Sequence, residues 1–213
     1  MTPETLKCAI HAIAKRIDEN KEYLVQLDQQ NGDGDLGISM SAGFHAVQGY
    51  LANATETDLG RLLNKCGDFF NEAAPSSLGT IVAFFFKGMA RFLKGRTECL
   101  FAELADAMDA GLNNVMSKAK SKPGEKTILD AVAPAIAALR ENAELADAMK
   151  LAATAARAGS ESTRDMRAVW GRAAYYGEKS IGILDGGSVV GALVFEALSE
   201  LQCVTEGYSN DIR

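Results

Sequence analysis

Leu6, Ile10, Ile13, Ile17, Leu24 and Leu27 recur at steps of three, four and seven, and almost no stretch of the chain alternates with period two. This repeat constrains the fold more than any other feature. A helix gathers every third or fourth side chain onto one stripe, whereas a strand shows them alternately to two faces. Only four prolines interrupt the 213 residues. The pattern predicts an all-α chain of eight helices, over residues 3–28, 37–52, 58–72, 77–94, 98–119, 127–140, 144–158 and 187–203. Thr2 can cap the first helix, with Pro3 in its first turn. Pro134 lies inside the sixth and should kink it.

The connections differ in kind. Those after the second, fourth and sixth helices are short and bland: NATET, KGRT and ENA. Those after the first, third, fifth and seventh hold NGDGDLG, AAPSS, KSKPGEKT and the long run from Gly159 to Gly187. A run of that length points to function or to a missed helix, and Ser162 with Asp165 can start a short one. Helices joined by short loops run antiparallel. In an up-and-down barrel or bundle, all the unusual connections therefore fall at one end. The N-termini of the second, fourth, sixth and eighth helices point there too, with unpaired N–H groups and partial positive charge, which suits an anion.

Composition narrows the choice of class. Hydrophobic residues make up 47% and charged residues 23%, enough to bury a sizeable core in a single domain over 1–213. The net charge is −6 and no basic stripe stands out, which argues against nucleic acid. The longest apolar run, Ile81 to Phe86, is too short to cross a membrane, and residues 1–20 lack a signal-peptide core. A cytoplasmic protein with reduced thiols at Cys8, Cys66, Cys99 and Cys203 is the expectation. Cys8 and His11 share a helical face, but two ligands do not make a metal site. Both are expected in the core, as are His45, Phe84–Phe86 and Met89.

Three aspartates, Asp28, Asp33 and Asp35, crowd into eight residues of the rim, between glycines that loosen the backbone. One Asp-Gly pair would be read as a solvated turn. Three carboxylates at an end built for anions call for a cation between them. Mg²⁺ takes a few carboxylates together with phosphate oxygens and water. An EF-hand fails, because Leu36 and Ala42 stand where Gly and Glu are required. PGEKT fails as a P-loop, since Glu125 separates glycine from lysine. Other rim residues carry two readings each. Thr127 and Asp130 form a capping box for the sixth helix. Ser76 and Ser77 cap the fourth helix or donate to phosphate. Asp185 caps the eighth. Arg172 is a surface arginine unless phosphate lies beside it, where it would neutralise charge on a transferring phosphoryl group.

LDQQNGDGDLGISM, SSLGT, PGEKTILDAVAPA and GRAAYYGEKSIGILDGG, in that order, resemble the motifs of the dihydroxyacetone kinase L subunit, or DAK2-domain, family. The resemblance spans nearly the whole chain. It implies a barrel of eight antiparallel helices with ADP or ATP at one end. Two Mg²⁺ ions would bridge the phosphates to Asp28, Asp33 and Asp35. Phosphate contacts would fall on Leu36, Gly37, Ile38 and Ser39 and on Ser76 or Ser77. Adenine-side contacts would fall on Ala119, Thr127 and Ile128, the catalytic arginine on Arg172, and the family's Asp-Pro-Gly on Asp185, Gly186 and Gly187. Many members carry His or Cys at the position of Leu36, which inclines the reading toward freely exchanging ATP.

The resemblance further implies a phosphotransferase subunit of a kinase for a small keto-sugar, dihydroxyacetone or a tetrose. The sugar would sit on a separate K-type subunit, and ATP or a phosphoenolpyruvate-driven phosphocarrier relay would supply the phosphoryl group. A nucleotide-loaded regulatory module that transfers nothing, or a DAK2-type kinase for another partner-held substrate, is the alternative.

Overall fold

Thr2 and Thr5 bond reciprocally to each other's backbone N–H, and Pro3 follows in the first turn. The first helix therefore starts where its sequence places the cap. The computed structural model describes residues 1–143 and 147–201. Its α-helices are α1 (Pro3–Glu19), α2 (Lys21–Asp28), α3 (Leu36–Asn53), α4 (Leu59–Ala73), α5 (Ser77–Phe92), α6 (Phe101–Ala119), α7 (Leu129–Glu141), α8 (Ala148–Ser162) and α9 (Gly186–Ser199).

The expected first helix, 3–28, is thus two. Asn20 leaves helical geometry (φ −109°, ψ 8°), and its side-chain amide donates to the carbonyl of Arg16 at 2.9 Å. Asparagine competes for backbone groups in this way. Ile17 and Leu24 still share a stripe across the break, so the apolar repeat runs through it. Counted as one bent stave, α1 and α2 restore the eight staves expected. Residues 144–146 and 202–203, placed in the seventh and eighth predicted helices, lie outside the described residues.

The staves close into a ring. Each packs on its neighbour in sequence from α3 to α9, and α1 completes the circuit between α3 and α9. Arg16 of α1 bonds to Glu196 and Glu200 of α9, and Arg157 of α8 pairs with the same Glu196 across this seam. On α4, Phe70 is fully buried and meets the rings of Phe44 on α3 and Phe86 on α5. The interior keeps an apolar cavity of about 720 Å³, which extends from Met1 and Leu100 at one end to Ile128 and Val190 toward the other. Among the described residues no helix is long and apolar enough to cross a membrane.

Pro134 sits inside α7, which runs through it unbroken. Proline frees the carbonyl four residues back. Here that is Asp130, and Gly159 of α8 lies so close that a Cβ on it would overlap the oxygen. The long connection after α8 also departs from expectation. Helix α8 continues to Ser162, and two 3-10 segments follow, Thr163–Asp165 and Arg172–Ser180. A short helix does begin near Ser162, but the Ser162 hydroxyl donates back to Gly159 rather than capping it.

Cys8, His11 and His45 were expected in the core and are exposed instead. The core stripe of α1 is Leu6, Ile10, Ile13, Ala14 and Ile17, which turns residues 8 and 11 outward. Likewise α3 buries Met40, Phe44, Val47 and Leu51, leaving His45 on its flank against Asp18 at 2.7 Å. Cys66, Cys99, Phe86 and Met89 are buried as expected, Phe84 and Phe85 are half-buried against the core, and Cys203 lies outside the described residues.

Candidate functional site

At the end of α2 the chain turns back over Asp28. The carbonyl of Asp28 accepts from Asn31 and Gly32, and its carboxylate accepts from the N–H groups of Gly34 (2.8 Å) and Asp35 (3.1 Å). Gly34 holds φ +78°, which other residues adopt only with strain. A Cβ on Gly32 would overlap the Asp28 carboxylate. The glycines are therefore what let the loop close on its own aspartate.

The result is a cluster. One carboxylate oxygen from each of Asp28, Asp33 and Asp35 lies within 4.8 Å of the others. Asp35 is the N-cap residue of α3 yet makes no side-chain cap bond, so its carboxylate stays in the cluster. Burial, then the charges of Asp33 and Asp28, raise its pKa above the ordinary value, only partly offset by Arg172. Three mutually repelling hard oxygens on a loop with no room for a Cβ fit a divalent cation, which would reverse that repulsion. The guanidinium of Arg172 lies 2.7 Å from Asp33. Asn31, Gly32, Arg172, Tyr175 and Tyr176 line a cleft beside the cluster.

The remaining expected positions are spread around the same rim. Leu36, Gly37, Ile38 and Ser39 form the first turn of α3, where helix geometry leaves the first N–H groups without intrahelical partners. The Leu36 side chain itself is buried in the core, so only its backbone faces the rim. Ser76 caps α5 by accepting from Gly79 N–H at 3.0 Å, while Ser77 is exposed in the first turn. Ala119 ends α6. Asp185 caps α9 by accepting from Ser188 N–H at 2.6 Å, and Gly186 and Gly187 begin that helix. Burial pushes the Asp185 carboxyl up to about 7 against the pull of the Ser188 N–H, with Asp130 adding to the rise.

The expected capping box at Thr127 and Asp130 forms by halves. Asp130 accepts from Thr127 N–H at 2.7 Å, but the Thr127 hydroxyl accepts from Leu129 rather than from Asp130, and α7 starts two residues later than expected. The other Asp130 oxygen holds Gly124 N–H at 2.5 Å. Ile128 is buried and its side chain lines the interior cavity.

Sequence reasoning passed over Glu125 and Lys126 once the P-loop reading failed. Lys126 is 3% exposed, and its ammonium donates to the carbonyls of Thr163, Met166 and Ile183. The Glu125 carboxylate accepts from the indole N–H of Trp170 at 2.6 Å. A lysine flanked by rim residues, whose acid at helical spacing, Asp130, is already taken up by the N–H groups of Gly124 and Thr127, was the available signal.

Comparison with known proteins follows the same lines. The DAK2 domain family model matches residues 30–200. The chain is 32% identical over 194 residues to a Listeria innocua protein named PEP-dependent dihydroxyacetone kinase 1, ADP-binding subunit DhaL, covering 91% of this chain and 93% of that protein. It is 33% identical over 171 residues to the corresponding Escherichia coli subunit, covering 78% and 81%. A rat triokinase/FMN cyclase is 32% identical, and the match spans 85% of this chain but 32% of that protein. Among solved structures, the C. freundii dihydroxyacetone kinase in complex with AMP-PNP and Mg²⁺ superposes with a TM-score of 0.75 over 92% of this chain, at 23% identity. This chain spans 34% of that kinase, and the likeness is one of fold. By sequence coverage and by fold, the chain belongs to the DAK2 domain family.

Proposed function

We propose that this chain, as one unit over 1–213, is the nucleotide-binding phosphotransfer subunit of a cytoplasmic dihydroxyacetone-type kinase. The three-carboxylate cluster, facing Arg172 at the rim where α3, α5, α7 and α9 begin, carries this reading. The relatives named as ADP-binding subunits of a PEP-dependent dihydroxyacetone kinase support it.

In this reading Asp28, Asp33 and Asp35 hold two Mg²⁺ ions, which neutralise phosphate charge when bound. Backbone N–H groups of Leu36, Gly37 and Ile38, with the hydroxyl of Ser39, meet the phosphates across the first turn of α3. On the opposite side Ser76 or Ser77 donates: the Ser76 hydroxyl accepts from Gly79 N–H in capping α5 and keeps its own proton to donate, and Ser77 is exposed in the first turn. Ala119, Thr127 and Ile128 border the adenine, and Asp185, Gly186 and Gly187 close the rim. Arg172 leaves Asp33 to meet charge developing on the transferred group, and positioning with charge neutralisation does most of the work in such transfers. The small keto-sugar sits on a K-type partner subunit. A phosphoenolpyruvate-fed phosphocarrier, or exchange of ATP, restores the donor.

The test is phosphoryl transfer from ATP to dihydroxyacetone in the presence of a K-type subunit, followed by ³¹P NMR. The expected result is Mg²⁺-dependent sugar phosphate, lowered on the order of 10³-fold by Arg172→Ala. A subunit that binds Mg-nucleotide but transfers to no partner-held sugar would be a regulatory module instead.

A further inference from the structure

Arg172 reaches the aspartate loop from a strap, residues 163–183, that leaves α8 and returns to α9. Its tip is exposed: the Arg172 side chain is 65% accessible and Tyr175 is 91% exposed. Little at the tip fixes the arginine, whose one ion pair among the described residues is with Asp33. The base of the strap is fixed by two adjacent residues of another loop. Lys126 donates to Thr163 (2.6 Å) and Met166 (3.2 Å) on the outgoing limb and to Ile183 (2.5 Å) on the returning limb. These acceptors use all three ammonium donors. Glu125 holds the strap nearer its tip: its carboxylate accepts from the indole of Trp170, and its carbonyl accepts from Val169 N–H at 3.4 Å.

The cost of this arrangement shows that the position is demanding. Lys126 stands in the left-handed region (φ +60°) without being glycine, and its charge is almost wholly buried with no carboxylate in ion-pair contact among the described residues. An uncompensated buried charge is expensive, and here three carbonyl dipoles compensate it directly, with the charges of Asp185 and Asp130 favouring it from beyond ion-pair distance. A methionine would fill the space but would remove all three ammonium bonds to the strap, leaving its limbs held to each other by Gly182 N–H on the Arg164 carbonyl and by Ala168 N–H on the Ser180 hydroxyl.

We propose that Glu125 and Lys126 are positioning residues that act through Arg172, clasping the strap so that its arginine faces the aspartate cluster. This rests on the phosphotransfer reading, and two readouts keep the two apart. The first needs no activity. Trp170 is the chain's only tryptophan and reports the strap directly. Trp170 is 43% exposed with its indole N–H on Glu125, so acrylamide quenching of its fluorescence should rise toward that of a fully exposed indole in Lys126→Met and in Glu125→Ala, while the circular dichroism spectrum stays helical. Unchanged quenching in both would overturn the clasp, whether or not the protein transfers phosphate.

The second readout is a double-mutant comparison with the K-type subunit and Mg-ATP. If the clasp acts through Arg172, Lys126→Met should lower kcat about tenfold or more, and Lys126→Met/Arg172→Met should lie within about twofold of Arg172→Met alone. Losses that multiply would show a role independent of the arginine and overturn the proposal. Should Lys126→Met fail to fold, Glu125→Ala with and without Arg172→Met makes the same comparison at a half-buried side chain. Failure of the wild type to transfer would count against the phosphotransfer reading, with the quenching result still deciding the clasp.

Discussion

Asp185 is a rim carboxyl whose ionisation is strongly displaced. Burial raises its pKa from the ordinary carboxylate value to about 7, and the sign of the consequence follows from linkage. A carboxyl that is harder to ionise in the folded state favours folding while protonated. That contribution is complete below the unfolded pKa and is lost as pH rises through about 7. Asparagine keeps the capping oxygen without the charge. In chelator, Asp185→Asn should therefore melt higher than wild type at pH 8, and the gap should shrink as pH falls toward 5. At Asp33 the outcome differs. Asp33→Asn should weaken Mg²⁺-dependent nucleotide binding at least about tenfold and leave the melting temperature nearly unchanged, because Asp33 is exposed and caps nothing. The three aspartates were legible in the sequence because glycines separate them in one short loop. Lys126 was not, because its partners are carbonyls 37 to 57 residues away, and backbone acceptors leave no mark on composition. His45 misled for a related reason. Its apolar neighbours in sequence belong to the core stripe of α3, while the residue itself sits beside Asp18 on the flank.

Helix starts capped by a side chain agree with the sequence expectation to within one residue, since caps are local chemistry, whereas α6, α7 and α8 begin two to four residues later than expected. Thr2, Asp58, Ser76 and Asp185 all accept from the backbone as N-caps. Asp58 lies at the end opposite the aspartates, and its other oxygen holds Gly95 N–H at 2.9 Å. Asp58→Ala should cost ~1 kcal/mol in chemical denaturation without altering nucleotide affinity. Gly37 makes the contrasting case. A Cβ there would overlap the carbonyl of Lys21, so α3 approaches α2 at the very turn proposed to meet phosphate. Gly37→Ala should cost about 1–3 kcal/mol and should also weaken Mg-nucleotide binding, because relief of the clash shifts the first turn of α3. The break at Asn20 and the 3-10 segments of the strap were less legible. A one-residue break preserves the apolar stride, and the strap is ordered by Lys126, Glu125 and Ser180 rather than by a stripe of its own.

The ring of staves was legible because alternating short and rich connections fix which helix ends share a rim, and sequential packing with closure of α1 on α9 does the rest. Its interior was not, since periodicity shows which residues face inward but not whether they meet, and here they leave about 720 Å³ between them. Phe70 joins three staves across one side of that interior, so Phe70→Ala should cost ~3–5 kcal/mol. Helix content and Trp170 fluorescence should be lost together in that variant, as one cooperative unit requires. The claim on which the functional account depends is that the aspartate rim is a cradle for metal and phosphate. Calorimetric titration of ADP and ATP, with and without Mg²⁺, tests it most directly. The account predicts saturable binding of both nucleotides that requires Mg²⁺ and is weakened by Asp33→Asn. Absence of binding in every condition, or equal binding in chelator, would contradict it.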